Sequence, residues 1–222
     1  TGGTGSSTAP IPSTASAGTQ RYYAASIISG CESESRLAFA VTVNEGPSLS
    51  AIGGGSAICM GSSLALTHAT SGGTWSTTTT SVATLSSAGL LTPVSAGSAI
   101  ASYTVTSNGC PSTVSATITV SAVPVAPTVA SVSYCEGATA IALTATTTSG
   151  NSLAWYGTNS TGGTASANAP IPVTNTAGSI DYYVLQKSAA NCEGPRAKIT
   201  VTVIAKPAAP SVTSLAYCLG AT

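Results

Sequence analysis

The chain has 222 residues, six basic and six acidic side chains, a net charge of zero, and only 5% charged residues against 43% hydrophobic ones. So little charge offers no electrostatic footprint to nucleic acid or anionic lipid. No apolar run approaches the ~18 residues that cross a bilayer, because Ser, Thr, Gly or Pro interrupts each one, and the hydrophobic share is too high for a disordered linker.

An all-β protein is expected. Thr and Val are β-branched and favour strands, and the 23 Gly and 12 Pro fall between short apolar runs, as turns require. Residues 1–44 open the chain with Thr1-Gly2-Gly3-Thr4, Ala9-Pro10-Ile11-Pro12 and Tyr22-Tyr23. The same passage returns 160 residues later as Thr161-Gly162-Gly163-Thr164, Ala169-Pro170-Ile171-Pro172 and Tyr182-Tyr183. Repetition on this scale marks an array of small domains. Residues 1–44 therefore read as the C-terminal part of a truncated domain, and the chain as a window cut from something longer.

Residues 45–121 read as a complete domain. Leu64 and Leu66 follow Cys59-Met60-Gly61, Trp75 follows Gly72-Gly73, and Val82–Leu85 and Leu90 come next. Tyr103 and Val105 precede Gly109-Cys110, and Val114, Ala116, Ile118 and Val120 alternate to the end. Residues 122–205 form a second complete domain, with strands expected at 128–132, 140–146, 153–156, a short one after Gly162-Gly163, 171–174, 180–186 and 197–203. Ile141 and Leu143 are assigned to one face. In the last strand Ile199, Val201 and Val203 share a dry face and Lys198, Thr200 and Thr202 a wet one, the pattern of two antiparallel sheets packed together. Residues 206–222 repeat Ala126-Pro127 and Tyr134-Cys135 as Ala209-Pro210 and Tyr217-Cys218, 83 residues on, and read as the first strand of a further domain. The joints Asn44–Pro47, Val123–Pro127 and Lys206–Pro210 are short and contain Pro, which restricts them.

One Trp per complete domain, Trp75 and Trp155, lies on the third strand, where an immunoglobulin-like sandwich places its core tryptophan. Tyr103 and Tyr182 are assigned to the core with them. Tyr22-Tyr23 and Tyr182-Tyr183 each put one ring inward and one outward, since strand neighbours face opposite sides.

At these residues the chain resembles known families. Tyr-Cys-x-Gly, Trp-Tyr-Gly-Thr, Thr-Gly-Gly-Thr, Ala-Pro-x-Pro, Tyr-Tyr-Val and Asn-Cys-Glu resemble the immunoglobulin-like repeats of giant secreted and surface adhesins of Bacteroidota. Gly-Gly-Thr-Trp-Ser, Ser-Val-Ala-Thr-Leu and Thr-Val-Thr-Ser-Asn-Gly-Cys, in residues 45–121, resemble the bacterial immunoglobulin-like group two repeat. The resemblance implies tandem seven-stranded immunoglobulin-like β-sandwiches in a linear array, export by the type IX route to the bacterial cell surface, and roles in adhesion, gliding motility or surface filaments. It implies a structural stalk, the alternative being a carbohydrate- or cell-binding module. The expected partners are neighbouring immunoglobulin-like domains of the same chain. Other copies in a filament or bundle, and a glycan or cell-surface ligand, stay open.

Cys59, Cys135 and Cys218 sit early in their units; Cys31, Cys110 and Cys192 sit late. Regular pairs of this kind read as disulfides of an oxidising compartment. With seven strands the early cysteine lies at the exit pole of its domain and the late one at the entry pole. A six-residue strand is roughly 20 Å long, whereas bridged Cα atoms lie within about 7 Å. That favours Cys59–Cys192 across a joint, leaving Cys31, Cys110, Cys135 and Cys218 for partners outside the chain. Pairing within domains, Cys59–Cys110 and Cys135–Cys192, stays open.

No catalytic constellation is legible. The carboxylates Glu32, Glu34, Glu45, Glu136, Asp181 and Glu193 are scattered singly, and His68 is the only histidine. A zinc site lacks paired ligands, a calcium loop lacks clustered carboxylates, and Gly53-Gly54-Gly55 lacks the lysine of a phosphate loop. Neither enzyme activity, metal nor cofactor is expected. Glu32 and Glu193, with Arg36 and Arg196 nearby, are expected to form exposed ion pairs.

Overall fold

A computed structural model describes residues 5–219. The motif Thr1-Gly2-Gly3-Thr4 and the terminal Gly220-Ala221-Thr222 lie outside the described residues. Every helix-or-strand element among the described residues is a strand, and the chain divides into two compact units, one ending at Val120 and the other starting at Ser121.

In the first unit, β1 (Gly18–Ala24), β2 (Ile27–Ile28), β3 (Cys31–Glu32) and β4 (Leu37–Val43) form two nested hairpins, with β1 antiparallel to β4 and β2 to β3. The inner one turns on Ser29-Gly30, both at positive φ, the backbone of a two-residue hairpin loop whose twist matches the strands. Seven strands follow: β5 (Ala57–Cys59), β6 (Leu64–Ala65), β7 (Thr74–Thr77), β8 (Ala83–Leu85), β9 (Leu90–Pro93), β10 (Gly97–Ser107) and β11 (Cys110–Ser121). They make a four-stranded sheet, β5-β11-β10-β7, and a three-stranded sheet, β6-β9-β8. Alternation along β10 and β11 turns Ala99, Ala101 and Ile118 inward, where they meet Ile58, Leu66, Ala83 and Leu91. Removing side chains as large as Leu91 or Ile118 from water contributes about 1.5–3 kcal/mol each.

The second unit holds β12 (Thr128–Val129), β13 (Val132–Cys135), β14 (Ala145–Thr146), β15 (Ser152–Trp155), β16 (Gly178–Lys187) and β17 (Ala197–Ile204). Its sheets are β12-β14 and β13-β17-β16-β15. β13 runs parallel to β17, with Val132 opposite Val201 and Cys135 opposite Ile204. Leu143, Trp155, Tyr182, Val184, Ile199 and Val201 fill the space between the sheets.

Three expected features take another form here. Only Ala145–Thr146 of the 140–146 segment pairs as a strand. Leu143 is buried, with its N–H bonded to Pro170 O, while Ile141 is exposed, so the two do not share a face. Residues 171–174 are extended but unpaired, with Pro172 and Thr174 inward and Ile171 and Val173 outward. The proline at 172 has no N–H to give a ladder, so the segment is fixed by Thr174 instead, whose hydroxyl donates to Ala138 O at 2.5 Å and whose carbonyl accepts from Gly137 N–H. The short strand after Gly162-Gly163 shrinks to one bridge between Ser166 and Trp155. The outer face of β15 and β16 is also dry in part. Ala154, Tyr156 and Leu185 are buried there, and Tyr183 packs on them instead of standing in solvent.

On the wet faces, hydroxyls meet across strands. Thr19 pairs with Thr42 (3.2 Å), Ser102 with Ser115 (2.8 Å), Thr104 with Thr113 (2.8 Å) and Ser179 with Thr202 (3.3 Å). Each pair is directly opposite in register, the closest side-chain approach a sheet allows.

Candidate functional site

The residues singled out for function sit at the strand ends. Cys59 ends β5, and its carbonyl accepts from Ser62 N–H in a turn where Gly61 takes a φ of 83°. Cys135 ends β13 in the same way, its carbonyl accepting from Ala138 N–H. The late cysteines occupy hairpin loops. Cys31 follows Ser29-Gly30, Cys110 follows Asn108-Gly109, and Cys192 follows Asn191, all with positive φ before the cysteine. Cys59 and Cys192 carry their sulfurs in disulfide linkage; Cys31, Cys110, Cys135 and Cys218 are free thiols.

Register sets how far apart the two cysteines of a unit are. Cys135 stands opposite Ile204 at the end of β17, and Cys192 precedes Ala197 at its start. In the first unit Ser56 O accepts from Thr119 N–H, which puts β5 beside the far end of β11 from Cys110. The early and late cysteines of each sandwich therefore lie at opposite ends of its sheet, and β17 alone spans roughly 23 Å at the usual rise per residue.

The joints are fastened to these same loops. Asn44 Nδ2 donates to Asn108 O at 3.2 Å, and the Cys110 thiol lies 3.4 Å from Asn44 O. Gly46 is pressed on Ser112: a Cβ at Gly46 would come within 2.6 Å of the Ser112 hydroxyl. In the second unit a Cβ at Gly194, in the Cys192 loop, would come within 2.5 Å of Pro124 O. Only glycine permits that approach.

Of the aromatics assigned to the core, Trp155, Tyr182 and Tyr103 are buried, and Trp75 is half-buried against the first core. The Tyr103 ring lies 4.6 Å from Trp75 and 4.5 Å from His68. Its hydroxyl accepts from Gly73 N–H and donates to Thr70 O, both at 2.9 Å. His68 Nδ1 accepts from Thr70 N–H, which leaves Nε2–H to donate to Ser50 O at 3.0 Å. The histidine is a clasp between loops.

Glu32 pairs with Arg36 at 2.7 Å as expected. Glu193 does not pair with Arg196. It takes Lys187 at 2.9 Å and accepts from the Tyr156 hydroxyl, while Arg196 lies over the Tyr156 ring at 3.5 Å and donates to Asn159 O and Gly162 O. Stacking on the ring keeps a guanidinium attractive to π density and turns it away from the carboxylate. The hydrogen bond from Lys187 holds the Glu193 carboxyl below its ordinary pKa. Bonds from Thr200 and then Lys198 do the same for Asp181, and the Arg36 hydrogen bond does so for Glu32.

Two polar side chains escaped the sequence reading. Gln186, 2% exposed, accepts from Thr148 N–H (2.8 Å) and Asn151 Nδ2 (3.0 Å), and Thr174 is the anchor already described. Both sit where alternation alone would put a wet or a neutral residue. Among the described residues no three of His, Cys, Asp and Glu come together, and no helix is long and apolar enough to cross a membrane.

Residues 124–204 match the family of the Ig-like domain CHU_C associated. Among solved structures, the chain is similar to domains 4 and 5 of the S-layer protein SbsC, with 18% identity over 64% of this chain and 82% of that one, TM-score 0.25. It is similar also to the fibronectin(III)-like modules of Clostridium thermocellum CbhA, with 13% identity over 68% and 90%, TM-score 0.36, and to domains 1–6 of the surface layer protein SbsC, with 15% identity over 86% and 36%, TM-score 0.31. No curated protein matches the chain.

Proposed function

We propose that this chain is a structural stalk or filament segment of a very large extracellular adhesin, exported by the type IX route to a bacterial cell surface, and that it gives reach and stiffness. The observation that carries the reading is the seating of the joints. Asn44 and Gly46 are held on the loop that bears Cys110, and Pro124 on the loop that bears Cys192. A connector packed on a hairpin has few conformations left to it. The match of residues 124–204 to an immunoglobulin-like family supports the same reading.

Within this reading Cys59 bonds Cys192 and staples the two sandwiches. The disulfide-linked state of both sulfurs and the separation of Cys135 from Cys192 along β17 support that pairing. The aromatic side chains of the two sandwiches pack mostly inward, which favours a stalk over a binding module. Non-catalytic behaviour belongs to the reading, since immunoglobulin-like domains are typically not enzymes and His68 has both ring nitrogens engaged.

Small-angle scattering on the oxidised chain tests it. One narrow distribution of dimensions is expected, broadening once the disulfide is reduced. Two sandwiches that tumble independently while oxidised would refute the stiffness. A Cys135–Cys192 peptide in a non-reducing digest would refute the staple, and saturable binding on a glycan array would replace the stalk with the binding module.

A further inference from the structure

The β1–β4 hairpin has a counterpart inside the same chain. Gly18 pairs with Val43 and Tyr22 with Phe39; 160 residues on, Gly178 pairs with Val203 and Tyr182 with Ile199. The register is identical, but the surroundings differ. Tyr182, Ile199 and Val201 are buried under the neighbouring strands of their sandwich, whereas Leu37 and Phe39 are 74% and 48% exposed. Among the described residues β4 has β1 on one edge and no strand on the other. The counterpart of that edge, on β17, is filled by β13 in parallel, with Val132 opposite Val201, Tyr134 opposite Val203 and Cys135 opposite Ile204.

A second strand of the β13 type exists. Leu215-Ala216-Tyr217-Cys218 repeats Val132-Ser133-Tyr134-Cys135 at a spacing of 83 residues. It pairs with nothing in register, and Leu215 and Tyr217 are 75% and 79% exposed. A vacant β17-type edge and an unused β13-type strand are complementary, and edge-strand addition is an established mode of recognition.

We propose that Leu215–Cys218 of one copy adds in parallel to the free edge of β4 in a second copy, with Leu215 opposite Val41, Tyr217 opposite Val43 and Cys218 opposite Asn44, and that Cys218 then forms a disulfide with Cys110 of the second copy. The thiol position points there independently of the repeat. Cys110 Sγ lies 3.4 Å from the carbonyl oxygen of Asn44, the residue that Cys218 faces in this register. Neighbouring strands are about 4.8 Å apart, and bridged cysteines have Cα atoms within about 7 Å. Both thiols are free, Cys218 exposed and Cys110 half-buried. Two thiols give up two protons and two electrons to a disulfide oxidant such as oxidised glutathione, which leaves as two thiols. The product is a head-to-tail chain of copies. It goes beyond the stalk reading and does not require the Cys59–Cys192 link.

The full chain, incubated at rising concentration with a glutathione redox buffer, tests it on a non-reducing gel and by mapping of cross-linked peptides. A concentration-dependent ladder that collapses under reductant, carrying a Cys110–Cys218 peptide, is expected. Cys218→Ser is expected to abolish the ladder but keep reversible association in sedimentation. Leu215→Pro keeps every cysteine, alters a residue outside both cores, and is expected to abolish ladder and association together. A monomer at all concentrations, a ladder joined only through Cys31 or Cys135, or an undiminished Cys110–Cys218 product in Leu215→Pro overturns the proposal. The Cys59–Cys192 peptide is read separately in the same digest, so the two ideas fail independently.

Discussion

The Tyr103 hydroxyl bridges Gly73 N–H and Thr70 O while its ring lies against His68 and Trp75, so Tyr103→Phe keeps the apolar contact and strands two backbone groups. A loss of about 1–3 kcal/mol in denaturant unfolding is expected, against no measurable change for Tyr23→Phe, whose ring is exposed. The carboxylates make a second prediction. Glu193, Asp181 and Glu32 all have their pKa lowered in the folded state, chiefly by hydrogen bonds from Lys187, Thr200 and Arg36. A lowered folded pKa gives stability that is present above the ordinary carboxylate range and lost as pH falls through the folded value. Unfolding temperature is therefore expected to stay flat near neutrality and to decline, modestly because the groups are exposed, below about pH 4. At this scale Trp155, Tyr182 and Tyr103 were legible as core because large rings need burial. Gln186 and Thr174 were not, since what makes a polar side chain buriable is a partner 36 or more positions away, Thr148 and Asn151 for one and Ala138 for the other.

Among elements, long alternation was a dependable guide and short apolar runs were not. β10, β11, β16 and β17 stand where hydrophobic residues recur every second position over 8–12 residues. The 140–146 and 171–174 segments offered the same residue types in runs too short to fix which side faces in. There, single hydrogen bonds from Leu143 and Thr174 decide the outcome. The difference is measurable. Leu143→Ala is expected to cost about 2–5 kcal/mol, and Ile141→Ser, two residues away and exposed, to be nearly neutral; equal costs would mean that the pair shares a face after all. Gly194→Ala sets a methyl against Pro124 O and is expected to cost about 1–3 kcal/mol as overpacking. The same change at Gly157, which meets nothing within 4 Å, removes a positive-φ glycine without that clash and serves as the comparison.

At the scale of the whole molecule, the repeats announced modular β units before any strand was placed, and the chain divides between Val120 and Ser121, beside the boundary expected at 121/122. The sulfur chemistry was legible only as far as position, because connectivity depends on which ends of two sheets meet. The proposed Cys59–Cys192 link closes a loop longer than 100 residues, for which chain entropy gives about 4–5 kcal/mol. Cys59→Ser, Cys192→Ser and the double variant are then expected to be destabilised by the same amount in equilibrium unfolding. A double variant markedly worse than either single one would mean that the two sulfurs serve different bonds.

The cross-strand rungs of Thr and Ser on the wet faces bear on where such a molecule can work. Neutral hydroxyls have no ionic atmosphere to lose, and ion pairs exposed to solvent, such as Arg36–Glu32, contribute little for electrolyte to erase. Its melting behaviour is accordingly expected to change little between fresh water and brine, a tolerance suited to material that stands outside the cell and has no control over what surrounds it.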